Sequence, residues 1–272
     1  MSETVSQAGV GRWLTAFARA VAASREQLTQ LDAAIGDADH GVNMDRGMQA
    51  VVAKLGAAEA GDAGAVLKLA AMTLISTVGG AAGPLYGTFF LEMAKAVGPA
   101  ASVTPAEWAA ALDAGVRGVR ARGKAEPGDK TMVDTLEPAT RAFGEAVADG
   151  QELRSALGRA AEAAERGMKA TTPLVARKGR ASYLGERSAG HQDPGATSSW
   201  MLLRAAAQAL PEPDGAAGTG PAGLTEPAAE TGPAVASTQP AAETGPARRS
   251  SGPATESEGS TDPAPGPAAA TS

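Results

Sequence analysis

The sequence predicts an all-α bundle of about eight helices, and three observations indicate this fold class. Larger apolar residues recur at steps of three and four in eight successive segments, which is the spacing of one helix face. No segment alternates apolar and polar residues over four or more positions with enrichment in β-branched side chains. Alanine, which favours helices, is very abundant. The glycine-rich loops between the helices are therefore left for chemistry.

The first predicted helix is long and covers roughly residues 10–31. Its larger apolar side chains lie on one face and are Val10, Trp13, Leu14, Phe17, Val21, Leu28 and Leu31. The other helices are predicted over roughly 42–58, 63–78, 84–98, 105–122, 131–149, 152–170 and 194–210.

Two of these helices have clear start signals. Thr104 and Glu107 have the spacing of a capping box, with a proline at the first helical position. Asp193-Pro194 repeats the order of cap and proline before the last helix. Pro138 is expected to kink or split the helix at 131–149.

Residues 211–272 are predicted to form a disordered tail after a folded domain at 1–210. This segment has no aromatic residue, holds eleven of the eighteen prolines, and repeats PAAETGPA at 227–234 and 240–247. Such a composition cannot bury enough apolar surface to offset the entropy of ordering. The repeat fits either unselected low-complexity sequence or a spacer or docking arm.

Charge and composition exclude several classes of function. The tail carries eight acidic and two basic residues, so the net charge of −6 arises there, and residues 1–210 are balanced. No basic face therefore predicts nucleic acid or an anionic membrane as a partner. The chain has no run of eighteen apolar residues, no signal pattern at its start and no cysteine, which excludes disulfides, thiolate catalysis and cysteine-ligated zinc. A cytosolic protein is the simplest interpretation.

An acidic loop is the most informative segment. Asp32, Asp37 and Asp39 place three carboxylates within eight residues around two glycines. Three hard oxygen donors in one concavity suit Mg²⁺, which leaves coordination positions for phosphate and water. An EF-hand is excluded because its twelfth position would be Met48. The alternative that Asp37 or Asp39 only caps the next helix stays open.

Two glycine-containing turns are weaker signals. The turn at 78–87, VGGAAGPLYG, can expose backbone N–H groups to phosphate before a helix, or it can be a plain turn. The turn at 123–131, GKAEPGDKT, misses the Walker A pattern because Asp129 interrupts it, and no strand precedes it. It is predicted to contact nucleotide or to cap the helix that begins near Thr131.

A long polar loop at 177–195 contains four cations and several glycines. Ordered loops of this length are usually functional, and guanidinium groups suit phosphate, so a nucleotide lid is one interpretation and a solvated basic loop is the other. The two histidines, His40 and His191, lie in loops without a serine or carboxylate partner evident in the sequence, which disfavours hydrolase chemistry.

Taken together, four segments resemble the nucleotide-binding L subunits of dihydroxyacetone kinases, the DAK2/DhaL domain family. They read LDAAIGDADHGVNM, GGAAGPLYGTFF, GKAEPGDKTM and GRASYLGERSAGHQDPGATS, and they occur in the family's order within residues 10–210. The resemblance implies a barrel of eight antiparallel helices with the nucleotide at one end.

The resemblance also implies a set of site residues. Asp32, Asp37 and Asp39 would ligate two Mg²⁺ ions that bridge to the phosphates of ADP or ATP. Arg180 would stabilise charge during transfer, without any covalent catalytic residue. The nucleotide would be lined by His40, Gly41, Val42, Asn43, Ala81, Ala82, Gly123, Met132, Arg180, Asp193, Pro194 and Gly195. The family commonly has serine where this chain has Ala82, so weaker binding is expected there.

Two branches of the family use nucleotide differently. The loop GDADHG and the absence of a substantial segment before the first helix favour the branch that depends on phosphoenolpyruvate. That branch implies ADP retained as a coenzyme, a histidine-phosphorylated M subunit as donor and a K subunit that holds dihydroxyacetone. A homodimer stays open, as do an ATP-dependent ketose kinase and a regulatory binding role.

Overall fold

Helices account for nearly all regular structure in residues 3–57 and 61–211, which are the residues that this computed structural model describes. The α-helices are α1 Gln7–Ala23, α2 Arg25–Ile35, α3 His40–Ala57, α4 Ala63–Thr77, α5 Ala82–Val97, α6 Pro105–Gly123, α7 Val133–Ala148, α8 Leu153–Ala170 and α9 Pro194–Ala209. A 3₁₀ helix spans Arg180–Ser188. Two short strands, β1 Val5–Ser6 and β2 Ser102–Val103, pair in antiparallel register. The all-α prediction is confirmed.

The first predicted helix is two helices in the structure, because the helical hydrogen bonding is interrupted at Ser24. The Ser24 backbone N–H donates to the carbonyls of Ala20 and Val21, which ends α1, and α2 begins at the next residue. Serine competes with helical hydrogen bonding through its side chain and is a weak helix former. Both α1 and α2 pack against α3, so the two together form one pass of the bundle. The described residues therefore contain eight helical passes.

The helices close into a ring. Each pass packs against the next along the chain, and α9 packs against α1. Trp13 on α1 fixes this closure, because its indole N–H donates to the Leu202 carbonyl of α9 at 2.8 Å. Inside the ring lie the large fully buried side chains, with Trp13 edge-on to both Phe90 and Trp108. The interior of the ring in the described residues is therefore a packed apolar core.

The predicted helix starts are confirmed at both positions. Thr104 and Glu107 form the reciprocal capping box at α6, and the Asp193 carboxylate accepts from the Ala196 N–H at the start of α9. Pro138 lies inside α7, which continues on both sides, so the helix is not split. None of the helices in the described part combines the length and apolarity needed to cross a bilayer. The predicted tail lies outside the described residues from 212 onward, and the boundary at 210 stays a prediction.

Candidate functional site

A cleft of about 490 Å³ opens at one end of the ring. The N-terminal ends of four helices, α3, α5, α7 and α9, border it, because alternate passes run in the same direction. A helix N-terminus presents backbone N–H groups and a partial positive charge. Four such ends around one cavity favour an anionic ligand, and phosphate is the usual one.

The acidic loop lies on one wall of this cleft. One oxygen from each of Asp32, Asp37 and Asp39 lies within 4.8 Å of the others. Asp32 is 8% exposed, and its Oδ2 accepts the backbone N–H groups of Asp39 at 2.9 Å and His40 at 3.1 Å. Gly36 leaves room for the other oxygen, since a Cβ there would overlap Asp32 Oδ1. Asp32 thus organises the loop and also contributes an oxygen to the cluster.

Arg180 faces the acidic loop from a second wall of the cleft. Its Nε lies 2.8 Å from Asp37 Oδ2, and its side chain is 65% exposed. The 3₁₀ helix that carries Arg180 is fastened to the ring by a small apolar cluster of Ile35, Ala176 and Ala181. The buried Ser188 hydroxyl strengthens this attachment by accepting the Ala176 N–H at 2.8 Å. The 3₁₀ helix is therefore held in place, and the guanidinium group of Arg180 at its start remains accessible to a ligand.

A buried hydrogen-bond network supports the wall behind His40. His40 Nε2 lies 2.9 Å from the Ser198 hydroxyl, which lies 2.7 Å from the Tyr86 hydroxyl, and Ser199 is 3.1 Å from Tyr86. Burial lowers the pKa of His40, against the opposing effect of Asp32 and Asp39, and burial raises the pKa of Tyr86 to about 12. Sequence patterns did not indicate this network, because Ser198 is 158 residues from His40. Ser198 is fully buried, so its hydrogen bond with His40 indicates a structural role and not that of an exposed nucleophile.

The turn at 123–131, which departs from the Walker A pattern at Asp129, contains a buried lysine with a structural role. Lys130 borders the cleft, but it is only 1% exposed, and its ammonium group donates to the carbonyls of Thr171, Thr172 and His191. These carbonyls lie at the two ends of the loop 171–191, so Lys130 closes the base of that loop. Burial lowers the pKa of Lys130. The rejection of a P-loop is thus consistent with the structure.

Asp193 is buried between Lys130 and the start of α9. Burial raises its pKa to about 7, while the hydrogen bond from the Ala196 N–H and the charge of Lys130 oppose this rise. Its neighbours Pro194 and Gly195 also line the cleft.

Most of the residues predicted for nucleotide lie on the cleft wall. These are His40, Asn43, Ala81, Ala82, Gly123, Met132, Arg180, Asp193, Pro194 and Gly195. Gly41 and Val42 do not line it. A Cβ at Gly41 would overlap the Arg25 carbonyl, and Val42 is 48% exposed on the outside of α3.

The structure adds wall residues that were not predicted as site residues from the sequence. Leu85, Tyr86, Val119 and Val133 form an apolar part of the wall, and Arg122 and Lys178 are cations at its border. Helical spacing did not distinguish these apolar residues from core positions. Lys178 had a signal, since it lies in the predicted lid loop.

Comparison with known proteins identifies the family. A family model described as the DAK2 domain matches residues 34–208. The ADP-binding subunit of the PEP-dependent dihydroxyacetone kinase of Escherichia coli strain K12 is 46% identical over 209 residues, which cover 77% of this chain and 100% of that subunit. Human triokinase/FMN cyclase is 36% identical over 187 residues, which are 68% of this chain and 32% of that enzyme.

A solved structure shows the same fold. The crystal structure of the dihydroxyacetone kinase of C. freundii in complex with AMP-PNP and Mg²⁺ matches with a TM-score of 0.56 and 22% identity, covering 76% of this chain and 35% of that one. The resemblance inferred from the four motifs is confirmed. The chain belongs to the DAK2 domain family, which its full-length match to the E. coli ADP-binding subunit places among the DhaL-type members.

Proposed function

We propose that this chain is the ADP-binding subunit of a phosphoenolpyruvate-dependent dihydroxyacetone kinase. In this function a phosphoryl group passes from a phosphocarrier subunit to ADP in the cleft, and from the resulting ATP to dihydroxyacetone on a partner subunit. The observation that carries the proposal is the meeting of the acidic cluster, four helix N-termini and Arg180 around one cleft. Its volume of about 490 Å³ is in the range of small-molecule sites, about 300 to 1,000 Å³.

The donor set of the acidic cluster fits magnesium. Three carboxylate oxygens within 4.8 Å of one another are hard ligands, and the helix N-termini around the same cleft suit the phosphates that complete a magnesium site. Asp32, Asp37 and Asp39 would hold the metal, with two ions as the expected number. Magnesium supplies neutralisation of phosphate charge when it is bound.

The protein's own residues would position and stabilise the phosphoryl group. Arg180 offers a guanidinium that can leave Asp37 for a phosphate oxygen, since a carboxylate that binds metal no longer needs that partner. A hydrogen bond between His40 Nε2 and the Ser198 hydroxyl keeps the His40 ring against the wall. The apolar wall around Leu85 and Val119 suits a nucleotide base. No covalent catalytic residue is required, because transfer between bound groups depends on positioning and charge.

The partners follow from the relay. A histidine-phosphorylated M subunit would donate to the nucleotide, and a K subunit would hold dihydroxyacetone, so the chain would not be active alone. Both must reach the cleft, whose Arg180 wall is exposed. A homodimer is compatible with this arrangement.

Reconstitution tests the proposal. The full chain is combined with K and M subunits and the general phosphocarrier proteins, and dihydroxyacetone phosphate is measured with either phosphoenolpyruvate or ATP as donor. We expect product from phosphoenolpyruvate only when all subunits are present, and catalytic amounts of ADP should suffice. Turnover from ATP without the M subunit would instead favour an ATP-dependent kinase whose nucleotide exchanges.

A further inference from the structure

An arginine outside the cleft contacts one of the cleft residues. Arg46 on α3 donates from Nη2 to Asn43 Oδ1 at 2.7 Å, and from Nε to the Thr77 carbonyl at 3.1 Å. Thr77 is the last residue of α4, and the turn that follows it contains Gly79 and Gly80 of the cleft wall. Arg46 does not line the cleft itself. It therefore joins two pieces of the wall from behind.

The chemistry of Arg46 fixes the orientation of the Asn43 amide. A guanidinium group has donors only, so the amide atom that faces it must be the oxygen. The amide nitrogen is then the donor left for another partner. The amide as a whole lies beside Gly79, where a Cβ would be 3.4 Å from Asn43 Nδ2 and 3.6 Å from Oδ1, and Asn43 itself lines the cleft. Asn43 is 8% exposed, and Gly79 lines the cleft beside it. The Asn43 NH₂ group is thus available as a donor at the end of the ring where the helix N-termini border the cleft.

We propose that Arg46 is a positioning residue for nucleotide binding: it holds the Asn43 amide with NH₂ toward the cleft, where it donates to a phosphate oxygen of ADP. This inference rests on the proposed function. Without Arg46 the Asn43 amide could rotate by half a turn, which would present its oxygen to an anion in place of the donor. The second bond, to the Thr77 carbonyl, links the same arginine to the end of α4, where the glycine turn begins.

The test is a double-mutant cycle on ADP affinity. Calorimetry with Mg²⁺ and ADP is carried out on the full chain after removal of bound nucleotide, for wild type, Arg46→Met, Asn43→Ala and the double variant. Loss of a hydrogen bond to a charged group predicts that Asn43→Ala weakens binding about tenfold or more. We expect Arg46→Met to weaken binding about three- to tenfold in the wild-type background and less than about twofold in the Asn43→Ala background.

Two further variants separate positioning from general stabilisation. Asn43→Asp keeps an acceptor for Arg46 and replaces the donor by an oxygen, so we expect unchanged or higher thermal stability with ADP affinity reduced more than about tenfold. Arg117→Met is the matched control, because Arg117 is an exposed arginine on α6 that pairs with Asp113 away from the cleft. It should leave ADP affinity unchanged.

The outcomes are distinguishable. If the wild type binds no ADP, both the proposed function and this inference are overturned. If the wild type binds and Arg46→Met has the same effect in both backgrounds, or none, only the inference is overturned. Wild-type affinity in Asn43→Asp would likewise show that the amide donor is not used.

Discussion

Two cations at the same end of the ring have opposite environments. Lys130 is 1% exposed and donates to three backbone carbonyls, whereas the Arg180 side chain is 65% exposed and contacts a single carboxylate, Asp37. Each lies in a glycine-containing loop that looked suited to phosphate. The contrast indicates that a cation whose donors are all used by the protein supports the fold, and that one with spare donors is available to a ligand.

The aspartates near Lys130 and Arg180 also differ in burial. Asp193, close to Lys130, is buried and caps α9, and its pKa is raised to about 7. Asp37, which pairs with Arg180, belongs to a cluster of oxygens that borders the open cleft. Lys130 thus organises the loop that carries Arg180, whereas Asp37 reaches Arg180 from the acidic loop.

Replacing the buried lysine should have the strongest consequence. Lys130→Met should lower the free energy of unfolding by about 3 kcal/mol or more, because it removes three hydrogen bonds to a charged donor, at about 1.5 to 3 kcal/mol each. The carbonyls of Thr171 and Thr172 keep the N–H groups of Leu174 and Gly190 as donors, so the loss is in the link between the two ends of the loop. Urea denaturation monitored by circular dichroism measures this. Lys124→Met, at an exposed position of the same turn, is the control and should change stability by less than about 0.5 kcal/mol. Equal stability of the two variants would contradict the structural role of Lys130.

Replacing the exposed Arg180 should affect phosphoryl transfer strongly and stability little. Arg180→Met is expected to reduce phosphoryl transfer in the reconstituted system by about 100-fold or more, because a fixed donor to developing charge is lost. Its stability should change by less than about 0.5 kcal/mol, since exposed ion pairs contribute little. Arg187→Met, on the same 3₁₀ helix and outside the cleft, is the matched control. Near-normal phosphoryl transfer by Arg180→Met would contradict the role of Arg180 in stabilising charge during transfer.

A smaller effect, on the pH dependence of the free energy of unfolding, is expected from Asp193. Its pKa is raised from 3.8 to about 7, so between about pH 4 and pH 7 the folded protein holds a proton that the unfolded chain has released. The free energy of unfolding attributable to this group therefore falls as pH rises through that window. The variant Asp193→Asn would still cap α9, but its side chain would not titrate.

The measurement is the stability of Asp193→Asn relative to wild type between pH 4.5 and pH 8. The difference should move in favour of the variant by more than about 1 kcal/mol up to about pH 7 and then level off, since one pKa unit corresponds to about 1.4 kcal/mol. A difference independent of pH would show that Asp193 is ionised throughout.

Local patterns predicted much of the fold. Helical spacing located every pass of the ring, and the capping box at Thr104 and the cap at Asp193 marked two helix starts to the residue. The break at Ser24 was missed because apolar residues continue in helical register on both sides of it. A single weak helix former does not interrupt that pattern, so the end of α1 at Ala23 is not visible in it.

The candidate site was predictable where it is local in sequence. Asp32, Asp37 and Asp39 lie within eight residues, and their proximity follows from that spacing. Contacts between distant segments were not predictable, as for Lys130 with Thr171 and His40 with Ser198. The contact of Arg46 with Asn43 was within reach of sequence reasoning, because residues three apart on a helix are neighbours.

The role of the acidic cluster in holding magnesium for a bound nucleotide can be measured as the dependence of ADP affinity on magnesium. Asp39→Asn is the suitable variant, because it alters one carboxylate and leaves both the Asp37–Arg180 pair and the Asp32 hydrogen bonds in place. Asp113→Asn, in an exposed ion pair on α6, is the control.

Calorimetry should show that magnesium strengthens ADP binding by more than about tenfold in wild type and in Asp113→Asn, and that most of this gain is lost in Asp39→Asn. The same magnesium-dependent gain in Asp39→Asn as in wild type would contradict a magnesium site at the acidic cluster.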